Sequence, residues 1–204
     1  NYATAHHWYG MYLDAMGRFE EALLELNRAR ELEPLSLVIN TTIGWHYYFA
    51  RRYERAANQL TTTLEMNPDF AYAHWVLGMV YLQEPTLGDA VAEFQRAVAL
   101  EGANQQYIAH LGIAYAAVGK RREASKILGD LQELSKRRYV SPIMGALILA
   151  YMGGRSEEVF ESFEKGYEDR DASMSLLKVS PLFDPLRSDP RFQAMLRRMN
   201  FPER

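Results

Sequence analysis

Apolar residues along the chain recur at i, i+3, i+4 and i+7, which is the spacing of one face of a helix and not the alternation of a strand. The pattern predicts paired helices over residues 4–16 and 20–32, 37–50 and 53–66, 71–84 and 87–100, 105–118 and 121–136. A degenerate pair follows over 142–153 and 155–169, where Leu147, Tyr151, Val159 and Phe163 keep the apolar spacing. Prolines fall only at the joints between these segments, as their fixed φ and missing N–H require. Gly17 and Gly119 occupy such joints, and Glu84-Pro85-Thr86 does so in the third pair. Ser141-Pro142 reads as a cap followed by a first helical turn. Beyond residue 170 the pattern changes. Ser180-Pro181 and Asp184-Pro185 mark turns, and Asp189-Pro190 opens a helix over 190–199 with Phe192, Met195, Leu196 and Met199 on one face. This tail is expected to cover the open end of the helical stack.

The pairs repeat with a fixed period. Gly10, Gly44, Gly78 and Gly112 are each 34 residues apart, as are Ala22, Ala56, Ala90 and Ala124. Glycine makes up about 7% of average sequence, so three further hits at a preset spacing have a chance of about 3 in 10,000. Tyr9, Ile43, Leu77 and Leu111 precede the glycines, and Leu26, Leu60, Phe94 and Leu128 follow the alanines by four. The glycine is expected where the first helix of a pair closely approaches the second, with the alanine as the small residue opposite. In the degenerate pair Ile148 replaces the glycine, and the turn at Gly153-Gly154 is one residue short.

A period of this length with these glycine and alanine positions resembles the tetratricopeptide repeat. The resemblance implies an all-α, right-handed superhelical solenoid of antiparallel helix hairpins. Its repeats would be about 3–36, 37–70, 71–104 and 105–138, with a degenerate 141–170 and a C-terminal cap at 171–204 of one 1–204 solenoid. The opening Asn1-Tyr2-Ala3-Thr4-Ala5-His6-His7-Trp8-Tyr9-Gly10 carries a narrower likeness. So do Ala29-Arg30-Glu31-Leu32-Glu33-Pro34-Leu35-Ser36, Leu134 to Val140, and Phe163-Glu164-Lys165 through Phe192. Together these resemble the C-terminal repeat regions of bacterial regulators that carry a winged-helix, kinase or nucleotide cyclase domain. That likeness implies a protein-interaction or sensor module.

Composition narrows the chemistry. The chain has no cysteine, which removes disulfides, zinc-thiolate sites and thiol catalysis and suits a cytoplasmic protein. A periplasmic place stays open if an upstream membrane helix exists. The net charge of -3 argues against direct nucleic-acid contact. The longest apolar run, Ile143 to Met152, is short of the ~18 residues of a membrane span. Asn1 without Met or a charged-then-apolar leader reads as a piece of a longer protein with no signal peptide.

No nucleophile elbow, phosphate loop or dinucleotide motif is present, and the chain is expected to be non-catalytic, without cofactor or metal. His6, His7, His46, His74 and His110 include no i, i+4 pair. They read as packing or partly exposed residues. Lys120-Arg121-Arg122 and Lys136-Arg137-Arg138 flank one helix and read as solvated helix ends or as a docking patch for an acidic partner or nucleic acid, the former favoured.

In the repeat this pattern resembles, the concave surface is lined by the first helix of each pair, three before and one, four and five after the glycine. Those positions hold His7, Met11, Thr41, Trp45, Tyr48, Phe49, Trp75, Met79 and Leu82, with Asp14, Ala15, Gln83, Ala109, Ile113, Ala116 and Ala117. The expected groove is apolar and aromatic and would take a protein or peptide partner. Two alternatives stay open: a homodimerisation module for an attached output domain, and a sensor of a small apolar ligand.

Overall fold

The computed structural model describes residues 2–83, 87–102, 104–154 and 156–201. The chain is all-α with the fold of a tetratricopeptide-like solenoid, built of sequential hairpins. These are α1 (Ala3–Ala15) with α2 (Phe19–Leu32), α3 (Leu37–Phe49) with α4 (Tyr53–Met66), and α5 (Ala71–Tyr81) with α6 (Leu87–Leu100). They continue with α7 (Gln105–Ala117) and α8 (Arg121–Ser135), then α9 (Pro142–Tyr151) and α10 (Glu157–Glu168). Two 3-10 helices, Ala172–Leu176 and Pro181–Leu186, precede α11 (Pro190–Arg198). The chain divides into two compact units, one ending at Leu100 and one spanning Glu101–Phe201. The expected turn Glu84-Pro85-Thr86 and Arg155, the expected start of α10, lie outside the described residues.

The hairpins close where the period puts glycine. A methyl group on Gly10 would stand 2.7 Å from Leu26 Cγ, on Gly44 2.6 Å from Leu60 Cγ, and on Gly78 2.8 Å from Phe94 Cε1. Each of those large side chains is fully buried in the space the glycine leaves, beside the invariant-phase Ala22, Ala56 and Ala90. A second contact repeats at the flank. His6 Nδ1 lies 2.6 Å from Glu25 Oε2, and His74 Nδ1 lies 2.6 Å from Glu93 Oε2 at the same place two periods on. In the hairpin between, Gln59 Nε2 donates to Asn40 Oδ1 at 3.3 Å. The turn glycines Gly17 and Gly119 have φ of +77°, in the left-handed region. Arg51 takes Gly17's place one period later at φ +58°.

In the first unit, neighbouring hairpins pack through two kinds of contact. Leu26 and Ala29 of α2 form one apolar cluster with Ile39 and Ile43 of α3. Beside it His7 Nε2 lies 2.9 Å from Thr42 Oγ1, and His46 Nδ1 lies 2.7 Å from Asp14 Oδ1, all four residues being buried.

The second unit departs from the pattern. Gly112 of α7 faces Ile127 Cγ2 at 2.9 Å and Ile148 Cδ1 of α9 at 2.8 Å, not Leu128. The α9–α10 hairpin has its close approach inverted: Gly166 sits on the second helix, and a Cβ there would meet Ile143 Cδ1 at 2.7 Å. Ser141 stands at the N-cap of α9 with Pro142 following, but its side chain makes no capping hydrogen bond. The tail packs tightly. Phe192 lies 5.8 Å from Phe163 of α10 and 6.0 Å from Phe183, and Phe192, Phe183, Leu186 and Met195 are buried. The stretch expected as turns around Pro181 and Pro185 is a 3-10 helix, capped by Ser180 Oγ accepting from Leu182 N. It carries apolar side chains into the core with fewer residues per turn than an α-helix.

Two outcomes follow. Gly78→Leu forces a branched side chain into the Phe94 ring and should lower stability by roughly 1–3 kcal/mol in urea unfolding. His110 of α7 is buried and its Nδ1–H donates to Gln106 O at 2.7 Å. Burial pushes this imidazole from 6.5 down to about 4. Between those two values the unfolded chain holds a proton the native chain refuses, so stability falls as pH drops through the window and is fully present above it. At about 1.4 kcal/mol per pH unit the loss is on the order of 3 kcal/mol. His110→Gln should flatten this slope between pH 6.5 and 4.

Candidate functional site

The first unit concentrates aromatic side chains on α3 and α5. Trp45 is the centre: its ring lies 5.2 Å from Phe49, 5.5 Å from Trp75 and 6.1 Å from Tyr72. Tyr72 stacks on Trp75 at 5.8 Å, and Phe70 meets Tyr72 edge-on at 6.2 Å. Trp45, Tyr72 and Phe70 are half-buried, while Phe49, Trp75 and Met79 are buried beneath them. Trp45 Nε1 is enclosed yet donates to nothing among the described residues, and Thr41 Oγ1, one turn before it, is in the same condition.

Of the nine residues expected to line a groove, only Met11 and Trp45 reach solvent in part. His7, Thr41, Tyr48, Phe49, Trp75, Met79 and Leu82 are buried. The reason is visible at α1 and α3. The positions three before and four after the glycine, His7 and Asp14 in the first hairpin, point at the next hairpin and bond Thr42 and His46. At His7 and Asp14, hydrogen-bonded neighbours fill the space that the sequence reading assigned to a partner. Burial lowers the His7 pKa and raises that of Asp14, the latter opposed by its hydrogen bond to His46. What remains accessible is a ridge of Trp45, Tyr72 and Phe70, with Met11 on α1.

Elsewhere the chemistry is structural. Arg121 donates to Met152 O at 2.8 Å, and Lys120 lies 5.7 Å over the Tyr115 ring, so part of the basic cluster before α8 holds helix ends. A cleft of about 280 Å³ in the second unit is lined by Asn104, Gln105, Tyr139, Ser141 and Met144. Gln105 Oε1 and Ser141 Oγ there are enclosed without a partner among the described residues. Ala109, Leu131 and Val140 complete the lining, which mixes polar and apolar groups. Among the described residues no three His, Asp or Glu side chains converge as metal ligands do. Among them, too, no helix is long and apolar enough to cross a membrane.

A family model described as tetratricopeptide repeat matches residues 41–108, the stretch that carries the Trp45 cluster. Over that third of the chain the sequence is similar to the tetratricopeptide repeat. A solved tetratricopeptide protein of Thermus thermophilus, TTC0263, superposes with a TM-score of 0.66 at 18% identity, covering 95% of this chain and 98% of that one. Structures of the protein MamA superpose at lower coverage. One has a TM-score of 0.54 at 19% identity over 84% of this chain and 93% of that one. A curated relative is the BBSome complex member BBS4 of Bos taurus, 26% identical over 116 residues. The match takes in 56% of this chain and 22% of that protein, so the chain spans about a fifth of this relative.

Two accessible residues of the ridge, Phe70 and Tyr72, lie outside the groove positions used in the sequence reading. They precede Gly78 by eight and six residues, at the start of the first repeat helix. The signal for them was the aromatic run Phe70-Ala71-Tyr72-Ala73-His74-Trp75, with aromatic rings on alternate residues through a helix start.

Asp14 and His46 give the test of how repeats are joined. Asp14→Ala leaves a buried imidazole N–H without its acceptor and should cost about 1–3 kcal/mol. The double change Asp14→Ala with His46→Ala should cost less than the sum of the two single changes in a double-mutant cycle.

Proposed function

We propose that this chain is a non-catalytic protein-interaction module of a bacterial regulatory protein, and that it holds a partner segment against the Trp45–Tyr72 ridge. The observation that carries the reading is the half-buried aromatic cluster of Trp45, Tyr72 and Phe70. Aromatic side chains on a rigid helical frame supply large contact area at low entropic cost. Buried Phe49, Trp75 and Met79 act in this reading as the floor that fixes the ridge, and His7, Thr41, Tyr48 and Leu82 as its supports. The cysteine-free composition supports a cytoplasmic setting.

A photo-crosslinking residue at position 70 identifies the bound segment, and titration of that purified segment tests the ridge. Tyr72→Ala should weaken binding by about 30-fold, the equivalent of about 2 kcal/mol, with little change in melting temperature. Undiminished binding by Tyr72→Ala and by Trp45→Phe together would remove the ridge from the proposal. A crosslink from position 70 to a second copy of the chain would replace the partner segment by self-association.

A further inference from the structure

The apolar hold of α11 on the rest of the second unit is tight but small: Phe192 and Met195 are its buried residues. The remaining hold is a charged seam along α10. Arg191 lies over the Phe160 ring at 3.8 Å and pairs with Glu157 at 3.0 Å. One heptad on, Arg198 lies over the Tyr167 ring at 4.2 Å and pairs with Glu164. Arg191 and Arg198, Glu157 and Glu164, and Phe160 and Tyr167 are all spaced alike. Residues a heptad apart share a helix face, so α11 lays one cationic edge along one acidic and aromatic edge of α10.

This seam is built to part. Both ion pairs are largely open to solvent. Such pairs add little stability and are screened by salt. A helix of 9 residues does not hold itself together in water, so α11 depends on its contacts. The fit is also incomplete. A cavity of about 200 Å³ lies in the seam, lined by Phe160, Phe163, Phe192 and Met195 with Glu161 and Arg191 among the rest. Glu161, between the two paired carboxylates, has no cationic partner among the described residues. Phe183, in the 3-10 helix before α11, stands 6.0 Å from Phe163, so part of that ring's cover stays in place without α11.

We infer that α11 is a detachable strap, the resident and autoinhibitory occupant of a face on α10 that accepts a basic amphipathic helix of a partner. Opening bares the Phe160 and Phe163 rings beside the carboxylates of Glu157, Glu161 and Glu164. A competing segment needs what α11 brings: a large apolar side chain for the rings and arginines a heptad apart for the carboxylates. It outcompetes α11 by adding a cation opposite Glu161. The face lies wholly in the second unit, and its occupancy is read independently of the Trp45–Tyr72 ridge.

Hydrogen exchange on the unmodified chain reads the opening. Amides of α11 should exchange at least about 100-fold faster than those of α9, because the opening is local. Their rates should ignore low urea, which acts through exposed area, and should rise in about 1 M NaCl. Rates that match those of α9, or that climb with urea as those of α9 do, would overturn the inference. A fluorescent peptide of residues 188–200 then reads the exchange of occupants. Arg191→Glu with Arg198→Glu in the chain turns the strap against the carboxylates. That chain should bind the peptide at least about tenfold more tightly than the wild type does, since a resident occupant lowers apparent affinity by the fraction of faces left free. The same two changes in the peptide should abolish binding. Arg198→Gln in the chain, a milder loosening, must move the affinity the same way, and unchanged α9 exchange shows that each variant is folded. Equal affinity for the wild-type and loosened chains, or no binding to either, sinks the proposal.

Discussion

A hairpin of this protein stands on one steric fact: the second helix places a Leu or Phe where the first helix has no side chain. Leu26, Leu60 and Phe94 occupy the volume above Gly10, Gly44 and Gly78, within 3 Å of where a Cβ would be. Interiors packed to crystal-like density respond to a single methyl group, so the axis separation is set to within tenths of an ångström. Everything else in the first unit inherits that spacing. It brings His6 to Glu25 and His74 to Glu93 across the flank, and it sets the angle at which α2 meets α3. The second unit reaches the same closeness differently, with Gly166 on α10 receiving Ile143 of α9. The constraint is a void matched to a bulky side chain, and either helix can supply the void.

The helices were legible because their signal is local. Periodicity and the Gly–Ala register placed ten paired helices to within about two or three residues at most ends, where boundaries are ambiguous in any case. The tail was less legible. Its Pro181 and Pro185 read as chain breaks, yet a 3-10 helix tolerates them, and Phe183 and Leu186 gain burial from it. The register of the small residue in the last hairpin was also hidden, since Gly166 looks like any other glycine until Ile143 is seen against it.

The candidate site was legible in composition and not in exposure. The sequence marked α3 and α5 as aromatic, and the structure gathers Trp45, Phe49 and Trp75 into one cluster. Whether a first-helix position looks outward or toward the next hairpin depends on the angle between hairpins, a property of several contacts at once. His7 and Asp14 illustrate this: their register in the repeat suggested concave surface, but each is buried with a partner more than 30 residues away. Tyr72 stands in an aromatic run of the sequence, but its place in the cluster is set by its neighbours in space.

The Asp14–His46 contact also bears on how such a chain can change over time. Repeat proteins grow by copying units, and a copied unit is viable only if its edges suit whatever lies on each side. The edge between α1–α2 and α3 is polar and paired, whereas the corresponding residues of α5, Val76 and Val80, present hydrocarbon. A transposed unit would leave an imidazole or a carboxylate enclosed opposite valine. The buried pair therefore acts as a lock and key between particular neighbours. It gives an array built from near-identical parts a fixed order, one that recombination cannot shuffle freely.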